Sequence, residues 1–173
     1  MYDHTISELA FENPKFHWKK IGLTGRNINK NNMKTLPELI QINGHLEEKN
    51  MILKLDIESN EWDVFQNLEI NNFRQFKYIV GEFHFFNSGK IQYYNILKKI
   101  LGTHQIFHIH CNNCGNIIKL NGYIICNLLE ISFIQREGYE FTEDINVYPI
   151  DGLDYKNCKR REDTSYVINL FNK

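Results

Sequence analysis

Acidic, histidine and amide side chains gather at three places along the chain, each at the end of an apolar run. The first is Lys54-Leu55-Asp56-Ile57-Glu58-Ser59-Asn60-Glu61-Trp62. Asp56 and Glu58 are two residues apart, so on a strand their side chains share a face. Glu61 and Trp62 fall in the first turn of the helix that follows. Carboxylates at the C-terminal end of a strand can orient a substrate hydroxyl, accept its proton or hold a divalent metal. Glu58 and Glu61 equally suit a helix N-terminus, whose partial positive charge they would offset. The second place is Gly81-Glu82-Phe83-His84, where Glu82 and His84 again share a face. A Glu and a His inside an aromatic strand are costly unless paired, so they form either a structural pair or a base with its partner. The third is His108-Ile109-His110-Cys111-Asn112-Asn113-Cys114-Gly115.

Cys111 and Cys114 make a C-x-x-C with histidines close by, a spacing that zinc uses. No second C-x-x-C follows, and Cys126 and Cys158 lie far off without paired spacing. A redox C-x-x-C would open a helix, whereas this one follows a strand.

The elements that must position these groups follow from apolar patterning. Strands are predicted over residues 16–23, 51–57, 78–86 and 105–110, and one or two more over 122–134. The nearly continuous apolar run at 51–57 is that of a strand buried on both faces. Helices are predicted over 36–42, with Pro37 in the first turn, and over 93–101. A third covers 59–68, with Ser59 as N-cap and Trp62, Phe65 and Leu68 on one face. Residues 25–34 read as a surface loop, and the Lys159-Arg160-Arg161 triplet as solvated loop within a polar stretch at 151–163.

Strands alternating with helices predict an α/β domain with a mostly parallel sheet and an antiparallel C-terminal edge. Ligands of such sheets bind at the C-terminal ends of strands. The three clusters would therefore be neighbours.

At 173 residues the chain suffices for one domain, with a core over about 1–136 and a polar extension over about 137–173. Apolar residues make up 42% and aromatic residues 13%, enough to bury a core. A formal net charge of −1 gives no basic surplus for nucleic acid or an anionic membrane surface. The first residues, Met-Tyr-Asp-His-Thr, lack a basic and apolar leader, and the expected location is the cytoplasm. Four cysteines are too few for a disulfide framework at this size.

Leu53-Lys54-Leu55-Asp56-Ile57-Glu58-Ser59-Asn60-Glu61-Trp62 resembles the signature of the FkbM-like methyltransferases, which depend on S-adenosylmethionine. The family pattern there reads roughly Leu-Lys-Ile-Asp-Ile-Glu-Gly-x-Glu-Trp. Asp56, Glu58, Glu61 and Trp62 match, and Ser59 replaces the usual Gly. Further matches follow the family's order. Tyr2-Asp3-His4-Thr5 resembles the end of its second strand, and Lys20-Ile21-Gly22-Leu23 the piece after its third. Gly81-Glu82-Phe83-His84 resembles a Glu-x-His, and His110-Cys111-Asn112-Asn113 a His-x-Asn-Asn.

The resemblance implies an incomplete class I, Rossmann-like methyltransferase sheet and methyl transfer to a sugar or glycan hydroxyl. Asp3 would hold the ribose of S-adenosylmethionine, and Gly22 and Leu23 would lie near its adenine. Asp56 would face the cofactor and, with Glu58, flank the methyl group or acceptor. His84 is the first choice of general base and His110 the second, while Glu61, Glu82, Asn112 and Asn113 would bind substrate. No metal site is expected, and the acceptor is a small molecule or glycan.

Class I methyltransferases begin with a strand, a glycine-rich turn and a helix, and this sequence has no G-x-G and starts at what resembles the second strand. The expectation is therefore a fragment of a longer gene, a chain completed by a partner that supplies the missing unit, or a remnant without activity. Two rival readings stand beside the enzyme: a non-catalytic partner subunit using a bare sheet edge, and a small zinc protein built on His108, His110, Cys111 and Cys114.

Overall fold

A computed structural model describes residues 1–28, 32–85, 91–120, 123–143 and 148–163. In chain order the elements are β1 (Gly22–Leu23), β2 (Met33–Lys34), α1 (Leu36–Ile42), β3 (Met51–Leu55), α2 (Glu61–Asn67) and α3 (Ile70–Phe73). Then come β4 (Phe76–His84), α4 (Ile91–Leu101), β5 (His104–Cys111), β6 (Ile117–Leu120), β7 (Tyr123–Cys126) and β8 (Leu128–Gln135).

The main sheet has the order β3-β4-β8-β5. β3 and β4 pair parallel, and β8 is antiparallel to β4 on one side and to β5 on the other. Three strands therefore share a direction and one opposes them. The expected antiparallel C-terminal edge is corrected: β8 is internal, and β5 forms the edge. A β6–β7 hairpin carries the chain back so that β8 enters the slot between β4 and β5. Both edges of β8 are hydrogen-bonded there, which suits its buried alternation of Leu129, Ile131 and Phe133.

Alternation divides the sheet into two unlike faces. One is apolar and packs on α2 and α4. Phe83 sits at its centre, with ring centroids 5.4 Å from Trp62, 5.7 Å from Phe65 and 5.8 Å from Phe133. Gly81 leaves room for the Phe83 ring, which a Cβ there would meet at 2.8 Å. The other face carries Lys54, Glu82, His108, Glu130 and Ser132, and residues 148–163 cross it through polar contacts. Ile52 is 69% exposed, so β3 is covered on one face only, contrary to the expectation from its apolar run.

Local signals set the helix starts. Thr35 and Glu38 form a reciprocal capping box at α1, which spans the predicted residues. Ser59 is not the N-cap of α2: its φ is +84°, and Asn60 holds the cap position without a side-chain bond. The predicted strand over 16–23 shrinks to Gly22–Leu23, which pairs with β2 over two rungs; Lys19 adds an isolated parallel bridge to Tyr2. Met33 and Lys34 thus leave the predicted loop. The short helix α3 carried no sequence signal. Phe86 and Gly122, ends of predicted strands, lie outside the described residues.

At the far end of the sheet His104 is fully buried. Its Nε2 bonds the Phe76 carbonyl at 2.9 Å and its Nδ1 the Thr103 hydroxyl at 2.8 Å. Burial pushes its pKa down, and the neutral ring ties β5 to β4. Among the described residues no helix is long and apolar enough to cross a membrane.

The packing around Phe83 sets a measurable scale. Phe83→Ala is expected to cost about 3–5 kcal/mol in urea unfolding. Ile52→Ala, on the uncovered face, should stay within about 0.5 kcal/mol. Equal effects would refute the one-sided core.

Candidate functional site

The ends of β3, β4 and β5 come together. β3 stops at Leu55, and the chain turns through Glu58 and Ser59, with φ of +53° and +84°. The two-residue alternation expected for Asp56 and Glu58 therefore does not apply, since neither lies on the strand. They diverge instead: Asp56 faces Glu82 and Lys54, and Glu58 faces His84.

Glu61 organises the turn. It is fully buried, and its Oε1 accepts the N–H of Ile57 at 3.0 Å and of Ser59 at 3.3 Å. Its Oε2 faces His84 Nδ1 at 3.4 Å. The expected role in substrate contact is corrected: a side chain with no exposed surface positions its neighbours. Trp62 Nε1 donates to the His84 carbonyl at 2.6 Å and fixes the end of β4.

His84 is buried, and its Nε2 lies 3.6 Å from Glu58 and 3.7 Å from Glu82. Glu82 and His84 do share a face of β4, as their spacing predicts. Burial, and then the Asp56 carboxylate, raise the pKa of Glu82. Asn112, just beyond β5, donates to Glu82 Oε1 at 2.5 Å. Of the three clusters expected to be neighbours, Asp56, Glu58, Glu82, His84 and Asn112 come together, whereas His110 and Asn113 do not join them.

The remaining predicted residues divide. His110 is nearly enclosed, with Nδ1 at 2.9 Å from Glu130 and Nε2 at 3.3 Å from Asp163, so both ring nitrogens are engaged. Asn113 turns away from the strand ends and clasps the C-terminal segment through both backbone groups of Cys158. Asp3 spends Oδ1 on the N–H and hydroxyl of Thr5, at 2.7 and 2.6 Å, and these bonds hold its pKa below the usual range. Gly22 lies under the His4 ring, where a Cβ would come within 2.6 Å of Nδ1. Gly22 thus adjoins His4, the residue after Asp3, while Leu23 packs on the core, and among the described residues no hydrogen bond or ion pair joins the three to Asp56.

Several site residues had no motif to mark them. Glu130 is the only charge within Leu128–Gln135, and that singularity was the available signal. Asp154, Asn157 and Asp163 arrive from the polar extension, where composition suggests only solvent. His108 Nε2 meets Asp154 at 2.7 Å. Lys54, Asp56, Glu82, His108, Glu130 and Asp154 line a cavity of about 400 Å³ on the polar face. A larger groove of about 710 Å³, bordered by Asn50, Gln75 and Gln135, contains none of the predicted residues. Of the strand-end cluster, Asp56 and Glu82 line the smaller cavity, while Glu58, Glu61 and His84 lie outside its lining.

The zinc set does not assemble. Alternation sends Cys111 into the core and His110 to the opposite face, and His108 pairs with Asp154. Among the described residues no three His, Cys, Asp or Glu side chains are disposed to hold a metal ion. The cysteines pair differently from their sequence spacing, Cys111 with Cys126 and Cys114 with Cys158. Arg161 is no solvated charge either, for its Nη1 donates to the carbonyls of Cys114 at 3.0 Å and Gly115 at 3.1 Å.

No family model matches the chain, and no curated protein or solved structure matches it.

Two outcomes follow from this geometry. Ser59→Gly should relieve the left-handed backbone and stabilise the chain by up to about 1 kcal/mol; a loss of stability would mean that the hydroxyl matters more than the φ. The second concerns His110 and Glu130. The Glu130 bond raises His110 above its ordinary 6.5, so that stability is full below 6.5 and lost as pH climbs through the raised value. The same bond lowers Glu130 below its ordinary 4.5, so its share is present above 4.5 and lost as pH falls through the lowered value. Their joint contribution peaks between these two ordinary values. The urea midpoint of Glu130→Gln, measured across pH, should lose that maximum relative to the parent chain, and an unchanged profile would refute the pair.

Proposed function

We propose that this chain is a methyltransferase domain that uses S-adenosylmethionine and methylates an oxygen, a hydroxyl of a sugar or other small acceptor. The observation that carries the reading is the buried His84 imidazole facing Glu58, Glu61 and Glu82 at the strand ends. A second supports it: Ser59 takes a left-handed backbone where the resembled pattern has glycine, the residue that adopts it without strain.

The donor chemistry suits the cofactor. With His84 neutral and Glu82 protonated, Asp56, Glu58 and Glu61 still outnumber Lys54 around the site, giving an excess of negative charge. When bound, S-adenosylmethionine supplies an electrophilic methyl carbon on a cationic sulfur. The carboxylates favour that cation by Coulomb attraction, more strongly where water is excluded. By the resemblance, Asp3 would take the ribose hydroxyls and Gly22 and Leu23 the adenine.

His84 acts as general base in this reading. Here the Nδ1 proton points toward Glu61 Oε2, 3.4 Å away, whose negative charge favours that tautomer. Nε2 then presents its lone pair on the side of Glu58 and Glu82, where an acceptor hydroxyl would lose its proton. Glu58, largely exposed, can pass that proton to water. Glu82, its pKa raised, can keep a proton at higher pH than an ordinary carboxyl and donate to an acceptor oxygen. Asn112 fixes its orientation.

A second reading, a partner subunit without its own activity, is favoured by the position of β3. It stands at one edge of the four-stranded sheet with Ile52 exposed, and an edge strand offers its backbone to another chain.

One calorimetric experiment separates the two. Saturable binding of S-adenosylhomocysteine by the folded chain supports the enzyme. Its absence refutes cofactor binding by this chain and favours the partner reading. Given binding and turnover, His84→Ala should lower turnover roughly 10²–10⁴-fold and leave cofactor affinity unchanged. Equal loss of both would overturn the base assignment.

A further inference from the structure

All four cysteines are free thiols, and they meet in two pairs that their sequence positions do not suggest. Cys111 and Cys126 are buried in the core cluster, out of reach of solution reagents. Cys114 and Cys158 are placed otherwise. Cys114 is exposed in the turn after β5, and Cys158 is partly exposed in the C-terminal segment. The two thiols are close enough to influence one another's titration.

The surrounding bonds hold the two backbones in register. Asn113 Nδ2 donates to the Cys158 carbonyl at 2.9 Å, and the Cys158 N–H donates to Asn113 Oδ1 at 2.7 Å. Three residues further on, Arg161 Nη1 reaches the Cys114 carbonyl at 3.0 Å. These bonds hold the Cys114 turn and the Cys158 segment side by side. The segment that carries Cys158 is also a wall of the cavity described above, contributing Leu153, Asp154 and Asn157.

We propose that Cys114 and Cys158 close into a reversible disulfide by exchange with a small-molecule disulfide of the glutathione type, and that this bond locks residues 148–163 as the wall of the cavity. Cys114, the more exposed, loses its proton and its thiolate attacks one sulfur of the small disulfide. That S–S bond breaks, a mixed disulfide forms, and one small thiolate leaves and takes up a proton. Cys158 then loses its proton and attacks the Cys114 sulfur, expelling the second small thiol. The two protein thiols are oxidised, the small disulfide is reduced to two thiols, and protons balance. Partial desolvation by its neighbours and then the Cys158 thiol raise the Cys114 pKa, so the exchange accelerates with rising pH. Methyl transfer plays no part in this inference, which stands or falls separately.

The test uses the full chain and oxidised glutathione. After equilibration in a series of glutathione redox ratios, free thiols are alkylated and the unreduced chain is mapped by mass spectrometry. The expected product is a peptide pair linked through Cys114 and Cys158, with Cys111 and Cys126 alkylated only after unfolding. Trypsin cleavage at Lys156, Lys159 and Arg160 should then slow by roughly tenfold or more on oxidation, because the cross-link restrains local opening. Adding a reducing thiol should restore the faster rate. Cys158→Ser should stop at glutathione bound to Cys114, with no slowing of cleavage. Separate glutathione adducts on Cys114 and Cys158 in the parent chain would overturn the proposal. So would a linked pair whose cleavage rate equals that of the reduced chain. The parent-chain mapping decides the bond even if the variant folds poorly.

Discussion

The Glu61 carboxylate is buried without exposed surface, and its two oxygens look in different directions. One closes the turn after β3 by accepting the N–H groups of Ile57 and Ser59, and the other faces the imidazole of His84 on β4. A carboxylate in such a place costs several kcal/mol unless it is hydrogen-bonded and faced by a complementary group. Meeting that condition holds two consecutive residues in the left-handed region, at roughly 1–2 kcal/mol for each non-glycine residue. The indole of Trp62, one residue on, anchors the His84 carbonyl and at the same time packs against Phe83, Phe85 and Tyr93. Polar site and apolar core thus share a boundary only one residue wide.

That boundary has its counterpart across the whole sheet. In the middle of the sheet, Ile79 and Phe83 of β4 and Leu129, Ile131 and Phe133 of β8 enter the core, while Glu82, Glu130 and Ser132 face the polar cavity, so Phe83 and Glu82 belong to different environments though adjacent in the chain. The internal placement of β8 matters here. It sets Glu130 opposite His110 and Glu82 in the pairing registers, joining the acidic cluster of β4 to the histidines of β5. An edge placement of β8 would have left one of those two groups without this neighbour.

Residues 148–163 complete the polar face. They bring Asp154 to His108, Asn157 to Glu130 and Asp163 to His110; Asn113 pins their backbone at Cys158, and Arg161 in turn holds the Cys114 carbonyl. Charged pairs of this kind on a partly wet face contribute modestly to stability. Their larger effect is to give the cavity a wall and to give each histidine a defined partner.

The sequence by itself determined what is local. Period-two alternation announced Glu82 with His84, and the apolar pattern over 36–42 with Pro37 in the first turn announced α1. The gathering of Asp56, Glu58, Glu82, His84 and Asn112 was legible too, because parallel strand ends are neighbours whatever the details. Only the tertiary structure decided that β8 sits inside the sheet, that Ile52 stays uncovered, and that Glu130, Asp154, Cys126 and Cys158 meet partners 15 to 46 residues away in the chain. It also decided that Ser59 is no helix cap and that Asn113 serves the C-terminal segment. Alternation and capping depend on neighbours within a few residues, which the order of side chains displays directly. Pairing order and long-range contacts depend on which closures of the chain bury the most apolar surface at the least entropic cost, and spacing alone does not encode that sum.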